Sequence, residues 1–221
     1  MRSTEIENII FDFGGVIMNI DFERTVSAFR ELGIIHFDQL FSKLKQSDLF
    51  DRMDKGTVSP EDFRDQIREW THLPLTDQQI DKAWNELLLD YPPNRIEVLR
   101  NINHNYELFL LSNTNSIHYQ YYSDLFLEQF HFPFETLFTR AYWSFHTGMR
   151  KPDREIFERV LADNRLDPAK TLFIDDTLMH VHGAVHAGLT GYHLKPGEDI
   201  INLFENNLLK ADLEFKFAFD N

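Results

Sequence analysis

Residues 9–17 read Ile9-Ile10-Phe11-Asp12-Phe13-Gly14-Gly15-Val16-Ile17, an apolar run that rises to one aspartate and breaks into two glycines. A short apolar run of this kind fits a strand buried on both faces. A single Asp after a strand is ordinarily a turn residue or a helix cap, so its meaning depends on the rest of the chain. Two further runs have the same form: Glu107–Ser112 (ELFLLS) and Thr171–Asp175 (TLFID). Weaker strand candidates are Thr136–Thr139 and Gly191–Leu194.

Helical patterns over Arg154–Asn164 and Leu178–Ala187 separate the later strands. Alternating strand and helix predicts an α/β fold with an open, parallel, Rossmann-like sheet. Such sheets bind ligands outside the carboxyl ends of their strands, where Asp12, Ser112 and Asp175 all fall. Between the first two strands the periodicity is helical, over Asp21–Leu32, Phe37–Gln46, Ser59–Trp70 and Asp77–Leu89. Ser59-Pro60-Glu61-Asp62 is a well-formed helix start, and Tyr91-Pro92-Pro93-Asn94 marks the return to the sheet. The expectation is an all-α insertion over residues 18–93, with residues 1–17 and 94–221 forming the discontinuous α/β core.

Composition narrows the chemistry. The 221-residue chain is 43% hydrophobic and 26% charged, as a globular protein is. Its N-terminus lacks signal-peptide form, and no apolar run approaches the roughly 20 residues of a membrane span. It has no cysteine, which excludes disulfides and thiolate chemistry and suits a cytoplasmic protein. A net charge of −14 argues against nucleic acid as a partner, because a phosphate backbone attracts Lys and Arg.

Four polar features lie at four successive loops: Asp12 in FDFGGV, Ser112-Asn113 in LLSNTN, Lys151 in GMRKPD, and Asp175-Asp176 in FIDDT. Converging at one sheet edge, they would join a carboxylate nucleophile to donors, an ammonium and an acidic pair. Phosphoryl transfer requires that set, with Mg²⁺ offsetting the phosphoryl charge. Asp can itself take up the phosphoryl group. Gly14 and Gly15 would let the backbone approach a phosphate closely.

In these motifs, taken in order and with GMRKPDREIF as one block, the chain resembles the haloacid dehalogenase superfamily. The likeness is to its phosphatase-rich branch with a helical cap, and Leu49–Ser59 (LFDRMDKGTVS) resembles the sugar-phosphate phosphatases of that branch. The resemblance implies that Asp12 is the nucleophile and a Mg²⁺ ligand. Gly14 would offer the metal its carbonyl and Asp176 a carboxylate, with Asp175 in support. Ser112, Asn113, Phe13 and Gly14 would hold the phosphate, and Lys151 would pair with both phosphate and nucleophile.

Two departures stand out. The family usually has a second Asp, a general acid and base, where this chain has Gly14. His180 stands where Asn or Asp is usual. General acid–base help is worth ~10²–10⁴-fold; His180 or Asp21 are the candidates to replace it, and water or the substrate itself is the third possibility.

The resulting expectation is a Mg²⁺-dependent phosphatase of a small phosphorylated metabolite, with a monomer expected and a dimer left open. The alternatives are a phosphotransferase or mutase, a metal-independent dehalogenase, or a weakly catalytic phospho-metabolite-binding module. The acidic pair speaks against the dehalogenase. A zinc site on His182 and His186 lacks an evident third ligand. The aromatic run Tyr119–Phe138 reads as core packing, and the alternating tail 212–219 as an edge strand or docked arm.

Overall fold

The computed structural model describes residues 5–34 and 49–216. Five parallel strands form one sheet: β1 (Asn8–Phe11), β2 (Glu107–Ser112), β3 (Arg140–Trp143), β4 (Thr171–Asp175) and β5 (Thr190–His193). Their order is β3-β2-β1-β4-β5, so the first strand is central and the chain reverses direction across it. Phe11 pairs with Leu110 on one side and Ile174 on the other, which brings the three motif-bearing strand ends level.

The pleat divides the apolar runs between two layers. Ile9, Phe11, Leu108, Leu110, Leu172 and Ile174 face one cluster, while Ile10, Phe109, Leu111 and Phe173 face another. Each such buried side chain contributes about 1.5–3 kcal/mol. Beyond the short α7 (Ser144–Thr147), the second layer is closed by α8 (Arg154–Asn164) and α9 (Leu178–His186), through residues such as Phe157, Val160 and Ala184. The first layer is aromatic: Phe13 packs on Tyr122, Phe134 and Trp143 at 4.4, 5.0 and 6.1 Å between ring centroids. The aromatic run therefore supplies core, largely from α6 (Ser116–Phe130), as its composition suggested.

The inserted helices are α1 (Phe22–Glu31), α2 (Leu49–Asp54), α3 (Pro60–Thr71) and α4 (Asp77–Asn85). Ser59 caps α3 by accepting from the Asp62 N–H, and Thr76 with Gln79 forms a capping box on α4. These helices share a separate apolar cluster around Phe29, Phe63, Ile80 and Trp84, to which the sheet side adds Ile117. The chain enters and leaves them through a paired neck: the Asn19 N–H donates to Asp90 O, Leu89 N–H to Asn19 O, and Asp21 N–H to Leu87 O. After the neck, α5 (Pro93–Ile102) leads into β2. The helix expected over Phe37–Gln46 lies outside the described residues.

One sequence expectation is corrected. The third strand lies at Arg140–Trp143 rather than Thr136–Thr139, because Phe134–Leu137 form a short 3₁₀ turn that drops Phe134 and Leu137 into the aromatic core. Asp21 caps α1, its exposed carboxylate taking the Glu23 N–H at 3.0 Å. The tail docks on the outer edge of β5, where Lys216 and Gly191 exchange two backbone hydrogen bonds of 2.8 and 2.9 Å. Residues 217–219 of that alternating stretch lie outside the described residues.

Candidate active site

Lys151 holds the centre of the site. Its ammonium, wholly buried, donates to Asp12 Oδ1 at 2.6 Å and to Asp175 Oδ2 at 2.7 Å. Burial alone would lower this lysine, but the two carboxylates together outweigh it and hold the ammonium above the ordinary lysine range. Burial, and then repulsion from Asp175, push the Asp12 carboxyl up to about 7 despite Lys151. Burial would raise Asp175 too, yet Lys151 and His180 leave it below the usual range. Asp176 is raised by burial and by Asp175.

Oxygen atoms of Asp12, Asp175 and Asp176 come within 4.8 Å of one another, and among the described residues these are the side chains grouped as metal ligands would be. His182 and His186 are exposed and belong to no such group. Three carboxylates face one ammonium, leaving two negative charges to be offset. Hard oxygen donors with that surplus suit Mg²⁺, which prefers oxygen and keeps some of its waters. The donor set therefore fits the ion.

The turn after Asp12 has its own hydrogen-bond economy. The Phe13 carbonyl accepts from Val16, Ile17 and Met18, and the Gly15 N–H donates to Met18 O. Among the described residues, the Gly14 carbonyl and the N–H groups of Phe13 and Gly14 take no part in these backbone bonds. Gly15 adopts φ +78°, and a Cβ there would overlap Asp176 Oδ2. The second glycine thus permits Asp176 to lie against the turn. Gly14 is different: a Cβ there would meet only Ile20, at 3.4 and 3.5 Å.

The second loop supports the lysine. Ser112 ends β2, buried, beside Trp143 of β3. Asn113 clasps the Lys151 main chain in both directions: its Nδ2 donates to Lys151 O at 2.8 Å, and Lys151 N donates to its Oδ1 at 2.9 Å. Reasoning from sequence gave Asn113 to the phosphate and missed this clasp. It also missed Ser144, whose hydroxyl exchanges 2.9 Å hydrogen bonds with the Thr114 main chain, and which no motif marks. His180 stands in the first turn of α9, its Nδ1 3.1 Å from Asp175 Oδ2. Thr177 N–H donates to Asp175 Oδ1 at 2.7 Å, so Asp175 is engaged on both oxygens.

Comparison with known proteins agrees with this architecture. Residues 6–188 match the family model of haloacid dehalogenase-like hydrolases. A D-ribitol-5-phosphate phosphatase of Bacteroides thetaiotaomicron is 29% identical over 194 residues, covering 88% of this chain and 94% of its own. A haloacid dehalogenase family enzyme of the same organism, solved with magnesium and inorganic phosphate, superposes with a TM-score of 0.84 at 36% identity, over 90% of this chain and 100% of that one. A HAD-like hydrolase of Porphyromonas gingivalis gives 0.78 at 31% identity, over 90% and 95%.

Proposed function

We propose, from the premise that this chain belongs to the haloacid dehalogenase-like hydrolases, that it is a Mg²⁺-dependent phosphatase acting on a small sugar or polyol phosphate. The observation that carries the reading is the Asp12–Lys151–Asp175 cluster with Asp176 beside it. The relative named for ribitol 5-phosphate points the substrate class toward phosphorylated polyols.

Asp12 attacks phosphorus, an Asp12 O–P bond forms, and the bond to the leaving oxygen breaks. Water then attacks the same phosphorus, and the Asp12 carboxylate departs as phosphate leaves. Lys151 orients Asp12 by its 2.6 Å bond and offers its charge to the phosphoryl oxygens. Ser112, Asn113 and the N–H groups of Phe13 and Gly14 supply the remaining donors. Asp12, Asp176 and the Gly14 carbonyl, supported by Asp175, would hold Mg²⁺, whose charge offsets that of the phosphoryl group.

The proton given to the leaving alkoxide, and later taken from water, needs a carrier in place of the absent second Asp. We assign it to His180 rather than Asp21. Its Nδ1 bond to Asp175 fixes the ring, whereas the Asp21 carboxylate caps α1. We further assign residues 18–93 as a cap domain over a core of 1–17 and 94–221. The cap would exclude water and select the leaving group. The protein is proposed to be a cytoplasmic monomer, which light scattering tests.

Gly14 favours one second reading, a phospho-metabolite binder of weak activity. Phosphate release from a panel of polyol and sugar phosphates separates the two, using wild type and Asp12→Asn, each with Mg²⁺ and with EDTA. Turnover that requires both Asp12 and Mg²⁺ supports the phosphatase. Binding of the same compounds without turnover supports the binder.

A further inference from the structure

The cap meets the core along two seams of different chemistry. On one, α6 presents His118, whose Nδ1 lies 2.9 Å from Asn85 Oδ1 of α4, and Trp84 stacks on its ring at 4.9 Å and 16°. Burial pushes His118 down to about 3, so this seam is held by neutral groups. On the other, α2 and the turn after it meet the loop that carries the catalytic lysine. Arg150 Nη1 donates to Asp51 Oδ1 at 2.8 Å, and Arg150 Nη2 lies 3.7 Å from Asp54 Oδ2. Lys55 Nζ bridges Asp51 at 3.2 Å and Asp153 at 3.7 Å. Asn115, which caps α6, favours the charged form of Asp54.

The residue after Arg150 is Lys151. Its main chain is clasped by Asn113 and its ammonium lies between Asp12 and Asp175. Cap carboxylates, Arg150, the Lys151 main chain and Asp12 therefore form one continuous chain of contacts. On the neutral seam Trp84 Nε1 is buried with no hydrogen-bond partner among the described residues, and the ionic seam has an orphan of its own. Arg150 Nε is buried with no hydrogen-bond partner among the described residues. Burial pushes Asp54 up to about 6, so its charged form depends on Arg150. A polar contact held at such expense is easier to break than to slide.

We infer that Arg150 is a positioning residue that couples the seating of the cap, through Asp51 and Asp54, to the placement of Lys151 against Asp12. With the cap seated, Arg150 is anchored at both carboxylates and the lysine is aimed. With the cap displaced on this side, Arg150 loses those anchors and the loop 147–153 loosens. The neutral seam at His118 then acts as the pivot. Efficient turnover is thereby restricted to compounds that keep the cap seated, a gating of the kind that assembles a site only around its substrate. This rests on the phosphatase reading.

The test uses the full chain with Arg150→Met, Arg150→Lys, Asp51→Asn and Asp54→Asn, each with Mg²⁺. Two readouts are taken: kcat and KM on the best phosphate ester of the panel, and amide hydrogen exchange across residues 49–56 and 147–153. Arg150→Met is expected to lower kcat about tenfold or more while KM changes by less than about threefold, since a misplaced group affects the chemical step. Exchange should quicken at both segments and stay unchanged at Asn85 and His118. Arg150→Lys should recover part of kcat. Asp51→Asn and Asp54→Asn together should lower kcat in the wild-type background and have little effect beside Arg150→Met, the signature of a shared path. A fall in Tm with kcat and exchange at 147–153 unchanged overturns the coupling, as does full additivity of the cap and Arg150 variants. A wild type that turns over no phosphate ester overturns the phosphatase reading instead, and the exchange experiment still decides whether Arg150 couples the two segments.

Discussion

The two glycines after Asp12 look equivalent in the sequence, and the structure requires their alanine variants to differ. Gly15 has φ +78°, where an L-residue costs about 1–2 kcal/mol. That is a fall in Tm of roughly 2–8 °C for a chain of this length. A Cβ at Gly15 would also overlap Asp176 Oδ2 and lie 2.9 Å from its Cγ. Restoring ordinary contact moves the carboxylate by about 1 Å, which a rigid ligand set does not tolerate. Gly15→Ala should therefore weaken Mg²⁺ binding by about 10–100-fold. It should lower kcat/KM by about 10²-fold at fixed Mg²⁺. Gly14→Ala places its Cβ at ordinary distance from Ile20 and should leave Mg²⁺ affinity within about twofold of wild type. Calorimetric titration of Mg²⁺ into both variants, with phosphate release alongside, is the assay. Equal losses in the two variants, or undiminished Mg²⁺ affinity in Gly15→Ala, would refute the reasoning, because neither is compatible with Asp176 resting on Gly15.

Three further outcomes are expected. Gly14→Asp has room for its Cβ beside Ile20 and should raise phosphate release by up to ~10²-fold if the proton carrier limits turnover; unchanged or slower release means that His180 or the substrate already does this work. Lys151→Met leaves Asp12 and Asp175 buried without their cation, and urea denaturation of the metal-free protein near pH 8 should show a loss of about 3–5 kcal/mol. The loss should shrink near pH 5.5, where Asp12 takes up a proton, and a loss independent of pH contradicts the account. In the metal-free wild type, Asp12 has a folded pKa of about 7, above its ordinary 3.8. Between those values the native state holds a proton that the unfolded chain has released, so stability falls as pH rises toward 7 and is level above it. Mg²⁺ competes with that proton, and its stabilising shift in Tm should be larger at pH 8 than at pH 5.5; an equal shift would show that Asp12 does not bind the ion.

The strands were legible where local and global preferences coincide. Glu107–Ser112 and Thr171–Asp175 end in the sheet where their sequence runs end, because a strand covered on both faces must be apolar until it reaches the edge. The strand at Arg140–Trp143 escaped notice because it lies at the border of the sheet, with Arg140 exposed and Ala141 partly so. The apolar residues just before it had a stronger pattern, but they pack into the aromatic cluster as a 3₁₀ turn. Asp21 shows the same competition in the site. As an isolated acid near the first strand it was a candidate for proton transfer, and in the structure its carboxylate caps α1.

The sequence by itself determined most of the elements and the four motifs, since strand burial, helix capping and loop chemistry are written in neighbouring residues. Only the tertiary structure decided that Lys151 lies between Asp12 and Asp175, that Asn113 grips the lysine by its side chain, and that Gly15 makes room for Asp176. Those relations join residues far apart in the chain. Their physical basis is the meeting of three strand ends and the Lys151 loop in one place, where buried charges must find partners or be neutralised, and no local pattern records which partner each one finds.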